Sequence, residues 1–102
     1  MRLEHESLEK MKENILYIIG KHLDLNKYQV FFFGSRVAGK GDDRSDIDIG
    51  IEGGGPVSDD LLMVIKEEID ALPILYKIDL VDFQRTSMKF KQFAKSAIEI
   101  LN

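Results

Sequence analysis

Residues 46–51 read Asp-Ile-Asp-Ile-Gly-Ile, and this strict alternation constrains the chain more than any other stretch. Successive side chains of a strand leave opposite faces, so Ile47, Ile49 and Ile51 share one face while Asp46, Asp48 and Gly50 share the other. Three isoleucines on one side demand an apolar layer to cover them. The chain must therefore build a sheet packed on at least that face. The two carboxylates on the opposite face are a candidate site.

The flanking segments supply the layer. From Leu8, apolar residues recur at Met11, Ile15, Ile18, Ile19 and Leu23, close to the helical period, which predicts an amphipathic helix over about residues 5–23. Gln29-Val30-Phe31-Phe32-Phe33 reads as a short buried strand ending at Gly34. Residues 34–46 are polar and irregular, with a short helix expected from Ser35. Gly53-Gly54-Gly55-Pro56 marks an exposed turn. Ser58 is a candidate N-cap, with Asp59 and Asp60 in the first helical turn. Leu61, Leu62, Ile65, Ile69 and Leu72 then line a helix that Pro73 ends. Lys77 to Phe83 is a third strand, and Thr86 or Ser87 opens a last helix with a stripe of Phe90, Phe93, Ala94, Ala97, Ile98 and Leu101. The helix between the second and third strands permits them to pair in parallel, within a parallel or a mixed sheet.

At 102 residues the chain is expected to form one domain over residues 1–102. It has no cysteine, which excludes a disulfide framework and a thiolate metal site and suits a reducing cytoplasm. The early acids of the N-terminal segment do not read as a signal peptide, and no apolar stretch approaches the roughly 18 residues of a membrane span. Fourteen basic against eighteen acidic residues leave a net charge of −4. Tight nucleic-acid binding by this chain alone is disfavoured, because a polyanion held by counterion release needs a basic face. A single nucleotide is different, since a few backbone amides and a metal ion can hold one phosphate chain.

The candidate chemistry lies in Gly34-Ser35, ten intervening residues, then Asp46-Ile47-Asp48. Two ionised carboxylates on one strand face repel each other. A bound divalent cation removes the conflict, and hard oxygen ligands suit magnesium or manganese. An Asp-x-Asp near a turn also suits a plain solvated strand edge. Two features favour a site instead. The isoleucines anchor the strand, and upstream a buried strand ends in Gly34-Ser35, where amides at a helix start can donate to phosphate oxygens.

Gly34-Ser35-Arg36-Val37-Ala38-Gly39, followed by Ser45-Asp46-Ile47-Asp48-Ile49, resembles the signature of the DNA polymerase β-like nucleotidyltransferase superfamily. Within it the chain is most similar to the minimal nucleotidyltransferase group, the MNT antitoxin domain, and the resemblance covers nearly the whole chain. It implies an α/β (α+β) nucleotidyltransferase fold, with a small three-stranded mixed sheet and flanking helices. It also implies a third carboxylate between apolar neighbours on an adjacent strand. Ile78-Asp79-Leu80 fits, and so does Val81-Asp82-Phe83. Asp79, inside the strand, is preferred. Asp82 points to the opposite face near the strand's end and reads as a solvated acid before the next helix.

By this resemblance Asp46, Asp48 and Asp79 are the catalytic residues and the ligands of Mg2+ or Mn2+, while Gly34, Ser35 and Arg36 bind the nucleotide. The implied reaction moves a nucleoside monophosphate, AMP from ATP, to an acceptor hydroxyl, and pyrophosphate leaves. The implied partner is a small all-helical HEPN-type protein, toward which the chain acts as antitoxin. The alternative is a non-catalytic nucleotide-binding or interaction subunit that neutralises or assists such a partner. Three acids together favour the enzyme. The group often has arginine where Val37 or Ala38 stands, so a phosphate-contacting charge is missing here or comes from Arg36 or Lys40.

Several features are decoys. Residues 34–40 match the first seven positions of a P-loop, but the eighth is Gly41, where serine or threonine must ligate magnesium. His5 and His22 are isolated, and His22 reads as a favourable cation at the end of the first helix. Phe31, Phe32 and Phe33 read as core rather than as a base-stacking platform. Arg44 and Lys40 serve equally well as phosphate contacts or as solvated charges.

Overall fold

The computed structural model describes residues 3, 7–34, 37 and 46–102. Along the chain run α1 (Leu8–Gly20), β1 (Tyr28–Phe33), β2 (Ile47–Gly53), α2 (Asp59–Asp70), β3 (Ile78–Asp82), a 3-10 turn (Phe83–Arg85), α3 (Met88–Ala94) and β4 (Glu99–Ile100). All three α-helices among the described residues begin on a serine whose hydroxyl accepts a backbone N–H of the first turn. Ser7 takes Lys10 at 3.3 Å, Ser58 takes Leu61 at 3.2 Å and Ser87 takes Phe90 at 3.1 Å. Such a cap satisfies a donor that the helix itself leaves unpaired. Among the described residues, no helix is long and apolar enough to cross a membrane.

The described strands form one mixed sheet in the order β3-β2-β1-β4. β2 runs antiparallel to β1 and parallel to β3, the latter made possible by the crossover through α2. Ile47, Ile49 and Ile51 are fully buried on one face, joined there by Ile78 and Leu80 of β3 and by Met11, Ile15, Ile19, Ile65 and Ile69 of α1 and α2. Full burial of one such side chain stabilises the fold by about 2 kcal/mol. This is the layer that the alternating isoleucines demanded.

The opposite face carries a second apolar cluster of Phe31, Phe33, Phe83 and Ala94. β1 is thus covered on both sides, with Val30 and Phe32 in the helical core and Phe31 and Phe33 in the aromatic cluster. Gly50 makes room for it: a Cβ there would stand 2.5 Å from the Phe31 ring and 2.7 Å from the Phe83 ring.

Two expectations need correction. Among the described residues the sheet has four strands rather than three, because the last helix stops at Ala94 and the chain then turns back to pair with β1. Its helical period is overridden by edge pairing: Leu101 N donates to Val30 O at 2.8 Å, and the Asn102 side chain accepts Val30 N at 2.9 Å. Asp82 is not solvated but 3% exposed. His22 lies just past the end of α1, as expected, and its Nε2 stands 2.8 Å from Glu68 Oε1 of α2, so it also links the two helices.

Candidate active site

Asp48 and Asp79 are register partners across the parallel β2–β3 pair. Adjacent strands lie about 4.8 Å apart, and in-register side chains leave the same face, so both carboxylates rise side by side opposite the isoleucine core. Asp46 sits immediately before β2, with its side chain exposed, and the following Ile47 N donates to Lys77 O at 2.9 Å. That bond ties the start of β2 to the start of β3 and brings all three acids to one end of the sheet. Asp48 and Asp79 are half-buried.

The electrostatics follow from this placement. Burial pushes the Asp48 carboxyl above its ordinary range, and the charges of Asp79 and Asp46 push it the same way. The acids farther along these strands are in a different condition. Glu52, on the same face of β2, is met by the ammonium groups of Lys91 of α3, at 3.7 Å, and of Lys95 at its C-cap. On β3, Asp82 Oδ2 accepts Val57 N at 2.8 Å and Oδ1 accepts Gln84 N at 3.0 Å, with Arg85 Nε 3.5 Å away. Arg85 in turn donates to Val57 O through Nε and Nη2, at 3.0 and 2.6 Å. Asp82 and Arg85 together hold both backbone polar groups of Val57 and fix the turn leading into α2.

Gly34 follows β1 at the same end of the sheet. Its φ is +89°, and a Cβ there would collide with Asp48 Oδ2. Only glycine tolerates that conformation and that closeness together. The structure therefore brings Gly34, Asp46, Asp48 and Asp79 into one place. Ser35, Arg36, Ala38, Lys40 and Arg44 lie outside the described residues, while Val37 packs against the helical core. Phe33, buried and one residue before Gly34, pairs across the sheet with Asp48, so the aromatic cluster adjoins the carboxylates. Sequence reasoning missed two roles: the space that Gly34 leaves for Asp48, and the structural anchoring by Asp82. An aspartate two residues before an N–H that it accepts is a readable local signal. Its second donor, Val57, is distant in sequence and gives none. Among the described residues, no three carboxylate or imidazole groups stand close enough to enclose a metal ion by themselves.

Solved structures share this architecture. A toxin–antitoxin complex with AMP-PNP superposes with a TM-score of 0.71 at 22% identity, over 89% of this chain and 72% of that one. The complex of a tri-AMPylated Shewanella oneidensis HEPN toxin with its MNT antitoxin gives a TM-score of 0.69 at 18% identity, over 93% and 72%. A further chain from Shewanella oneidensis gives 0.71 at 18%, over 94% and 72%. At such identities the likeness is one of fold. No curated protein matches the sequence. The sequence profile described as "Polymerase beta, Nucleotidyltransferase" matches residues 13–102, a span that holds Gly34 and all three carboxylates. The chain belongs to the polymerase β nucleotidyltransferase family and is a nucleotidyltransferase.

Proposed function

We propose that the chain transfers AMP from ATP to a hydroxyl, most simply a tyrosine, of a HEPN-type helical partner, and that it does so with magnesium or manganese. The observation that carries this reading is the in-register pair Asp48–Asp79 with Asp46 beside it. Three like charges at one sheet end oppose one another, and Asp48 bears the cost. The donor set is all carboxylate oxygen, which fits a hard divalent ion. Magnesium commonly takes one or two carboxylates and completes its shell with substrate phosphates, so these acids need not enclose it unaided. When bound, the ions would neutralise the triphosphate and the charge on the attacking and leaving oxygens.

The chain's own groups would do the rest. Gly34 and Ser35 would cradle the β- and γ-phosphates, Arg36 would add a charge for the nucleotide, and Asp79 would accept the proton of the acceptor hydroxyl. The acceptor oxygen bonds to the α-phosphorus, and pyrophosphate departs. Support for the substrate and acceptor comes from the two complexes of like fold, one with AMP-PNP and one with an AMPylated HEPN toxin. Exposed apolar side chains on α1 (Tyr17) and α3 (Met88) suit a partner-binding surface.

The test is incubation of the chain, magnesium and α-labelled ATP with and without a HEPN-type helical protein. Label should appear on that protein, on tyrosine, and only when both proteins are present. Neither a complex by gel filtration nor any transferred label would remove this partner, though a nucleotide site could survive that result.

A further inference from the structure

The aromatic cluster beside the carboxylates has one member that the core does not fully enclose. Phe90, in the first turn of α3, has its ring 6.2 Å from that of Phe33 and 5.7 Å from that of Phe83, yet the residue is 39% exposed. Phe33 in turn stands opposite Asp48 and next to Gly34. α3 runs away from this end of the sheet, since Lys91 farther along it and Lys95 at its C-cap meet Glu52. Phe90 is therefore the ring of α3 nearest the acids, held from one side by its neighbours and open on the other. An oriented ring beside a phosphate-binding site matches the one flat, apolar part of a nucleotide.

We propose that Phe90 is the stacking surface for the base of the bound nucleoside triphosphate. This rests on the nucleotide reading above and adds to it the residue that receives the base. Phe93, one turn farther along and 82% exposed, makes no ring contact with the cluster among the described residues and is a control. Loss of one stacked ring weakens nucleotide binding roughly tenfold.

Calorimetry with magnesium compares ATP against inorganic tripolyphosphate, which has the phosphates and no base. Phe90→Leu, which keeps apolar bulk, should weaken ATP roughly tenfold and leave tripolyphosphate unchanged. Phe90→Tyr should bind ATP like the unaltered chain, and so should Phe93→Leu. In the unaltered chain, the Phe90 ring protons should show a nuclear Overhauser contact to the base protons of bound ATP. That measurement stands even if Phe90→Leu fails to fold. ATP affinity unchanged in Phe90→Leu, equal loss for both ligands, or no such contact would overturn the proposal. Failure of the unaltered chain to bind either ligand would instead sink the nucleotide reading, and this proposal with it.

Discussion

Asp79 and Asp82 stand on the same five-residue strand, and the fold treats them in opposite ways. Asp82 is buried on the isoleucine side, accepts two backbone N–H groups and lies beside the Arg85 guanidinium. Asp79 faces the other way, shoulder to shoulder with Asp48, whose pKa is raised first by burial and then by the charge of Asp79. One carboxylate is used by folding. The other is held against a like charge by a strand that the isoleucine core keeps in place. An acid can thus be assigned to structure or to chemistry by what its neighbours do to its charge, which burial alone does not reveal.

The largest effect should come from breaking the structural half of the pair. Asp82→Ala leaves Val57 N and Gln84 N without their acceptor and Arg85 without its nearest buried charge. Arg85 is itself exposed and keeps Asp59 at 3.0 Å, so the cost is that of the stranded backbone donors, about 1–3 kcal/mol each. Urea unfolding should show that loss, and a change under about 1 kcal/mol, the size of one ordinary hydrogen bond, would show that the network is idle. Gly34→Ala comes next. Its positive φ alone costs a β-carbon about 1–2 kcal/mol, and the methyl group must also displace the Asp48 carboxylate. Magnesium-ATP binding should therefore fall further than stability does. Equal losses would make Gly34 a turn residue only.

The smallest effect sharpens the contrast through pH. Asp48 has a folded pKa above its unfolded one, so between the two values the folded chain binds more protons. Its contribution to stability is then lost as pH rises from the ordinary carboxylate range through the raised value. Glu68 runs the other way, because Lys21 and His22 lower it, and its contribution is lost as pH falls. In metal-free buffer, Asp48→Asn should remove the first dependence and leave the second. An unchanged Tm-versus-pH curve in that variant would contradict the raised pKa assigned to Asp48 by its burial and then by the charges of Asp79 and Asp46.

Where local rules and tertiary contacts agreed, the sequence was a sufficient guide. Ser58 caps its helix as expected, Ser87 proves to be the cap of the two candidates offered, and the alternation around Ile49 forms a strand facing the helical core. The misses lie where a distant partner decides. Ile98 and Leu101 continue a helical period, but the open edge of β1 offers backbone bonds that a longer helix would forgo. Phe31, Phe32 and Phe33 are core as expected, and the second cluster that Phe31 and Phe33 join is completed by Phe83 and Ala94, distant in sequence. At the site, the choice of Asp79 over Asp82 follows from strand parity, which sequence supplies. The nearness of Asp48 to Gly34 depends on the β1–β2 register, which it does not.

The central claim is that Asp48 and Asp79 are opposed so that a divalent ion and a triphosphate can be held between them. Calorimetry of ATP with and without magnesium, on the unaltered chain and on Asp48→Asn, tests it most directly. The unaltered chain should bind ATP only with the metal. Asp48→Asn should keep or raise its Tm while losing at least about tenfold in magnesium-dependent affinity, the lower bound for disturbing a metal's ligands. Equal, metal-independent binding by both proteins would contradict the account.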